Sequence, residues 1–377
     1  MLDSNSDIFK AIRPYNDDEV TGAIKKLIND QEFLDVIMHA KFSIHNKKLI
    51  KIITPLLKFF LKVKFRNIKT VKQVQDQIAK YMHKLIPKTI EKLSYKGLEK
   101  LEKHKPYLFI SNHRNIAMDS ALINWCLHME GFPTLRIAMG DNLLKKDCST
   151  ILMKLNKTFI VDRSSTGREL LKSLKNLSKY IRLSLKEGNS IWIAQKSGRA
   201  KDGNDQTDPA MIKMLSLDFK KDKLSFSDIV NQMNIVPVSI SYENDPCDIM
   251  MANEIHKLNV NGSYKKTEFE DIDTIIKGIL GKKGKVNVSF GSPLKGEFTT
   301  PEEVSTAIDG VIHKSYYLFP YNLIAAEQAQ DEDDILKSKE KWNQKLESLS
   351  PEIRLIVKNM YAKPVHNKKI FKIKHHL

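Results

Sequence analysis

Apolar residues in the first ninety positions recur at helical spacing. After a turn at Pro14 to Asp18, the series Ile24, Leu27, Ile28, Phe33, Leu34 and Ile37 marks one apolar face. From Leu49 to Phe65 apolar residues crowd together and alternate irregularly with Lys51, Lys58, Lys62 and Lys64. A third series, Val71, Val74, Ile78, Met82 and Leu85, runs to Pro87. Residues 1–90 are therefore expected to be an N-terminal helical region of three or four helices forming a bundle.

Beyond residue 91 the pattern changes to short apolar runs separated by helical stretches. The runs Lys92–Tyr95, Tyr107–Ser111, Leu135–Met139, Thr158–Val161, Ser190–Ala194, Ile235–Ser241 and Val286–Phe290 are read as strands. Between them, Gly167–Lys186 carries Leu170, Leu171, Leu174, Leu177, Ile181 and Leu185 on one side and predicts a helix. Alternating strands and helices argue for an α/β domain over 91–320, with a mostly parallel central sheet flanked by helices. Residues 244–266 are polar and read as loop. Thr300-Pro301-Glu302-Glu303 reads as a helix start. Residues 321–377 are expected to form C-terminal helices, mainly 329–362, and a basic tail from Lys363 to Leu377.

Composition narrows the classes. The chain has 377 residues, enough for a sizeable core, with ordinary apolar and charged fractions. Its net charge of +17 is unusual and comes mostly from dispersed lysines. That field favours anionic partners. No RNA-binding or helix-turn-helix signature accompanies it, so nucleic acid is not expected. Cys126, Cys148 and Cys247 are isolated, which suits a reducing compartment and no metal centre. His39, His45, His83, His256 and His313 have no ligand-spaced partners, and Asp331–Asp334 reads as a solvated helix face. The N-terminus lacks a signal-peptide pattern, and no apolar stretch approaches the roughly 18–20 residues that span a bilayer. A cytoplasmic protein is expected, peripheral on the membrane face if it meets lipid at all.

The candidate chemistry lies in Leu108-Phe109-Ile110-Ser111-Asn112-His113-Arg114, followed by Asp119. An imidazole sits where a buried strand should meet solvent, with one carboxylate nearby to orient it as a general base. The stretch resembles the first motif of the glycerolipid acyltransferases, the glycerol-3-phosphate and lysophosphatidate acyltransferase superfamily. Further blocks follow in order. Lys157–Arg163 resembles the second and Ile191–Arg199 the third. Ile235–Ile240, with Pro237, resembles the fourth, and Val286–Leu294 the strand and Gly-x-Pro turn after it. The resemblance spans roughly residues 92–320 and is nearest to the soluble plastid-type glycerol-3-phosphate acyltransferases.

It implies transfer of a fatty acyl group from acyl-CoA or acyl carrier protein to a hydroxyl of glycerol-3-phosphate or lysophosphatidate, without a further cofactor. His113 is the implied base and Asp119 its orienting acid, with the acceptor hydroxyl in the place of a protease serine. Arg163 and Arg199, each after a strand, suit bidentate phosphate contacts. Lys196, Lys201 and Arg114 are lesser candidates, Gly198 forms the turn, and Pro237 reads as a strand-edge proline with an implied part in shaping the acyl site.

Two features depart from the family pattern. Five residues separate His113 from Asp119 where the family has four. In a regular helix the extra residue would rotate Asp119 by about 100°, so the pair meets only across a loop or bulge. Ser197 stands where the third block often has Glu. The acceptor therefore stays open between a phosphorylated glycerol or lysolipid and a lyso-aminolipid or other hydroxylated lipid. A non-enzymatic basic binding protein is the remaining class. Leu49–Phe65 reads equally as an interfacial helix on an anionic membrane surface or as a bundle helix.

Overall fold

The structure, a computed structural model, describes residues 3–42, 46–144, 146–267, 270–329 and 333–374. His45, Asp331, Glu332 and the last three residues of the tail therefore lie outside the described residues. The chain divides into two compact units. One joins Met1–Tyr81 with Arg136–Leu183, and the other joins Met82–Leu135 with Ser184–Leu377.

The strands fall where the apolar runs place them: β1 Lys92–Lys96, β2 Leu108–Ser111, β3 Arg136–Gly140, β4 Thr158–Val161, β5 Ile191–Ala194, β6 Ile235–Tyr242 and β7 Lys285–Phe290. In the second unit the order is β1-β7-β6-β2-β5. All neighbours there are parallel except β6 and β7, which are antiparallel. Every residue of β2 and β6 is buried. That is why these strands read as largely apolar runs, broken only by Ser111, Ser239 and Ser241. The mostly parallel α/β class expected from the sequence is the one found.

The first unit holds the parallel pair β3–β4, with Ile137 opposite Thr158 and Gly140 opposite Val161. Its helices Asp17–Asn29, Gln31–Phe42 and Lys47–Phe65 meet over Ile28, Leu34, Met38, Ile50, Leu57 and Leu61. A second cluster joins Val20, Ala23 and Leu27 to Ile68 and to Cys148, Ile151 and Leu155 of the helix Asp147–Leu155. The helix Val71–Thr89 continues past Pro87. Among the described residues no helix is long and apolar enough to cross a membrane.

Two local readings hold in detail. Gly167–Lys186 is one helix. At Pro301–Ser315 the Thr300 side chain accepts from Glu303 N, and the Glu303 carboxylate reaches back to the Thr299 and Thr300 amides. That reciprocal capping satisfies donors the helix cannot satisfy itself.

Two readings need correction. Asp248–Asn261, expected as loop, is a helix ended by Gly262 at φ +69°. Its apolar signal is short: Cys247, Met251 and Ala252 pack on Trp342, Leu346, Val357 and Tyr361 from the helices Asp333–Glu347 and Pro351–Lys374. Tertiary packing supplies what periodicity does not. The basic tail is likewise not a separate segment, because the last helix runs through it to Lys374.

Trp342 is 1% exposed, with the Tyr321 and Tyr361 rings at 5.1 and 5.0 Å. Trp342→Ala is expected to cost about 3–5 kcal/mol, read as a lower denaturation midpoint with an unchanged slope in chemical unfolding.

Candidate active site

β2 ends at Ser111, and the next helix, Met118–Met129, begins seven residues later. The intervening turn is built from side chains that replace missing backbone partners. Asn112 continues the sheet beyond the end of β2. Its Oδ1 accepts from Ile240 N at 2.8 Å and its Nδ2 donates to Ile240 O at 2.9 Å. Asn115 Oδ1 accepts from the Ala117 and Met118 amides and so caps the helix start. Ile116 and Ala117 form a turn ahead of the helix, which takes up the additional residue between His113 and Asp119.

Asp119 stands in the helix's first turn and is fully buried. Its Oδ2 lies 2.8 Å from His113 Nδ1 and accepts from Arg114 N at 2.6 Å and Asn115 N at 2.9 Å. Its Oδ1 accepts from the Tyr242 hydroxyl at 2.7 Å, at the end of β6. The carboxylate curls back over the turn, so the pair meets without any helical register between its members. Burial, reinforced by the Asp119 charge, pushes the Tyr242 phenol well above its usual range, so it remains an O–H donor.

His113 keeps 13% side-chain exposure, and Trp192 meets its ring edge-on at 5.7 Å. With Nδ1–H directed at a carboxylate, Nε2 carries the lone pair. Trp192 is itself held by a bond from Nε1 to Ser111 Oγ at 2.9 Å.

The third block folds onto the same loop. Ala200 N donates to His113 O at 2.8 Å, and Gln195 N to Ser111 O at 2.9 Å. Gly198 adopts φ +80°, and an added Cβ there would meet nothing within 4 Å. Glycine is therefore favoured for its backbone and not for space. β2 and β5 are parallel, so His113 and Arg199 both follow carboxyl ends on the same edge of the sheet. That edge is where open α/β sheets bind ligands. Arg199 is half-buried, and its Nη1 is buried without a hydrogen-bond partner. The fully buried Gln195 amide, four residues earlier, also has neither polar atom paired.

The remaining candidates divide by their partners. Arg114 turns inward, donating to Asp205 Oδ2 at 2.9 Å and Gly203 O at 3.0 Å. Through Nη2 its guanidinium braces the loop, while its Nε is buried without a hydrogen-bond partner. Asp205 also accepts weakly from Asn112 Nδ2 at 3.3 Å, and its carbonyl lies 2.6 Å from His313 Nε2. Lys196 Nζ is bound to Asn204 O at 3.0 Å, and Lys201 is ion-paired with Glu254. Arg163 follows β4 in the first unit, where its amide donates to Asp141 Oδ1 at 3.2 Å. Its side chain passes over Gly140, where a Cβ would come within 2.7 Å of Nε.

Pro237 is not on an edge strand: β6 lies between β2 and β7. Its carbonyl accepts from Gly291 N, one step beyond the last β6–β7 pair at Val238 and Phe290. A strand residue's N–H and C=O point to the same side, so the missing donor falls where that ladder ends. Among the described residues, no group of three or more His, Cys, Asp or Glu side chains is placed to hold a metal ion.

Tyr242 and Asp205 carry no motif signal of their own. Tyr242 is marked only by being the polar-tipped aromatic that closes a strand whose other polar residues are Ser239 and Ser241.

The family model described as Acyltransferase matches residues 92–241, the stretch from β1 to β6. Residues 92–241 thus match an acyltransferase domain, and the chain is an acyltransferase, acting between an acyl donor and an acceptor. No curated protein matches it. Among solved structures it is similar to the 1-acyl-sn-glycerophosphate acyltransferase PlsC from Thermotoga maritima, at 14% identity and a TM-score of 0.37. That match covers 78% of this chain and 94% of the other.

Tyr242→Phe removes the donor to Asp119 Oδ1 and leaves a buried carboxylate oxygen unpaired. A loss of about 1–3 kcal/mol in unfolding free energy is expected, measured by urea titration against the wild type.

Proposed function

We propose that this acyltransferase moves a fatty acyl group from acyl-CoA or acyl carrier protein to a hydroxyl of glycerol-3-phosphate or lysophosphatidate, with His113 as general base. The observation that carries the reading is the 2.8 Å contact of His113 Nδ1 with a buried, fully hydrogen-bonded Asp119. That arrangement fixes the tautomer that presents a basic Nε2. Nε2 takes the proton of the acceptor hydroxyl as its oxygen attacks the thioester carbonyl. The C–O bond forms, the C–S bond breaks, and the departing thiolate takes the proton back from the imidazolium. The acyl group passes directly to the acceptor, so the step needs neither a covalent enzyme intermediate nor a cofactor.

A phosphorylated acceptor needs a cation near this edge. Arg199 supports that role because its Nη1 is buried and unpaired, a state a phosphate oxygen would relieve. For Arg163 the same role rests on the resemblance of its block alone. An unpaired guanidinium N–H would also donate to a carboxylate, so a lyso-aminolipid acceptor is the second reading.

His113→Ala is expected to lower kcat by about 10²- to 10⁴-fold with an unchanged circular dichroism spectrum. Near-normal turnover would sink the mechanism. Arg199→Ala is expected chiefly to raise KM for the anionic acceptor, by about ten- to a hundredfold. Each variant is assayed with acyl-CoA and acyl carrier protein against glycerol-3-phosphate, lysophosphatidate and a lyso-aminolipid. Activity confined to the last acceptor would favour the second reading.

A further inference from the structure

The helix Lys47–Phe65 has two apolar faces, and only one is used. Ile50, Leu57 and Leu61 are buried in the cluster with Ile28, Leu34 and Met38. On the other side Leu49, Ile52, Leu56, Phe59, Phe60 and Val63 are exposed, at 44, 74, 69, 66, 54 and 47%. At 100° per residue these six fall within an arc of about 100°, roughly opposite the buried set. They form a continuous stripe of large side chains, unlike the scattered apolar residues that every surface carries. The interfacial and the bundle readings of this segment are therefore not alternatives, because each describes a different face.

Charge indicates what covers the stripe. Between Asp35 and Asp76 the sequence has ten Lys and Arg residues and no Asp or Glu. Lys48, Lys51 and Lys62 are exposed on the same helix, and Lys58 is half-exposed. An apolar stripe with lysines along its flank, on a helix that holds no acid, matches the boundary between acyl chains and anionic headgroups. A second copy of the chain would bring the same unbalanced positive charge against itself, so self-association through this face opposes its own electrostatics.

We propose that the face Leu49–Ile52–Leu56–Phe59–Phe60–Val63 is a docking surface for an anionic lipid bilayer, lying in its interface with the lysines at headgroup level. This goes beyond the acyl-transfer reading and does not depend on it.

The test is co-sedimentation of the full chain with phosphatidylcholine vesicles with and without phosphatidylglycerol, in the absence of substrates. Binding is expected only with the anionic lipid, weakened by salt. The double variant Phe59→Ser/Phe60→Ser alters exposed residues only and should keep the wild-type thermal transition. Its vesicle partitioning should fall by about tenfold or more. Wild-type chain that stays in the supernatant with anionic vesicles overturns the proposal, as does a double variant that binds like the wild type. A wild-type dimer that the double variant converts to monomer, without vesicle binding, assigns the face to a second copy and also overturns it. Acyl transfer between water-soluble substrates is measured in parallel and should be equal in both proteins, so failed docking stays distinct from failed chemistry.

Discussion

The candidate site depends on one buried carboxylate. Asp119 has no solvent exposure and receives hydrogen bonds from the loop amides of Arg114 and Asn115, from the Tyr242 hydroxyl and at His113 Nδ1. A charge taken out of water costs several kcal/mol unless its lone pairs are filled. Filling them requires the turn after β2, the start of the following helix and the end of β6 to hold one arrangement together. Moving any of them strands the carboxylate. The ring orientation of His113 is thus a consequence of satisfying Asp119.

A second polar network supports the first. Asn112 pairs with both backbone groups of Ile240, and Asp205 gathers Arg114 and Asn112 beneath the loop. Such networks specify a unique geometry when every member is satisfied. Satisfaction is incomplete here: Arg114 Nε, Asn115 Nδ2 and Asp205 Oδ1 within these networks, and Arg199 Nη1 and both atoms of the Gln195 side-chain amide where the third block turns, are buried and unpaired. Within one structure, arginines with the same charge have different surroundings. Arg114 is ion-paired with Asp205 through Nη2, Arg199 has Nη1 buried and unpaired, and Arg163 lies over a glycine. Residue type alone does not distinguish them, since the partners come from elsewhere in the chain.

Charge carries information only where it is local. The net +17 is dispersed and indicates little. The acid-free interval from Asp35 to Asp76 coincides with a helix that exposes one apolar face, and there the same lysines gain a specific reading.

The sequence by itself determined the strands, because most of them are short, largely apolar runs set between helical stretches, and β2 and β6 are buried along their whole length. It also determined the helix Gly167–Lys186 and the capped start at Thr300, for which local chemistry is sufficient. His113 with Asp119 became the candidate pair through the resemblance of the surrounding blocks, since their spacing alone is a weak signal. The helix Asp248–Asn261 was not legible, since its few apolar residues acquire a partner only when Trp342 and Tyr361 arrive from some hundred residues downstream. Nor was the Tyr242 bond to Asp119, which joins residues 123 positions apart. The extra residue before Asp119 counts against a helix-borne pair in one dimension. In three it is absorbed by a turn, because the carboxylate reaches back to the loop amides instead of keeping helical register. Which arginine stays open, which face of Lys47–Phe65 stays bare and what holds the imidazole depend on atoms distant in sequence, and only the tertiary structure brings them together.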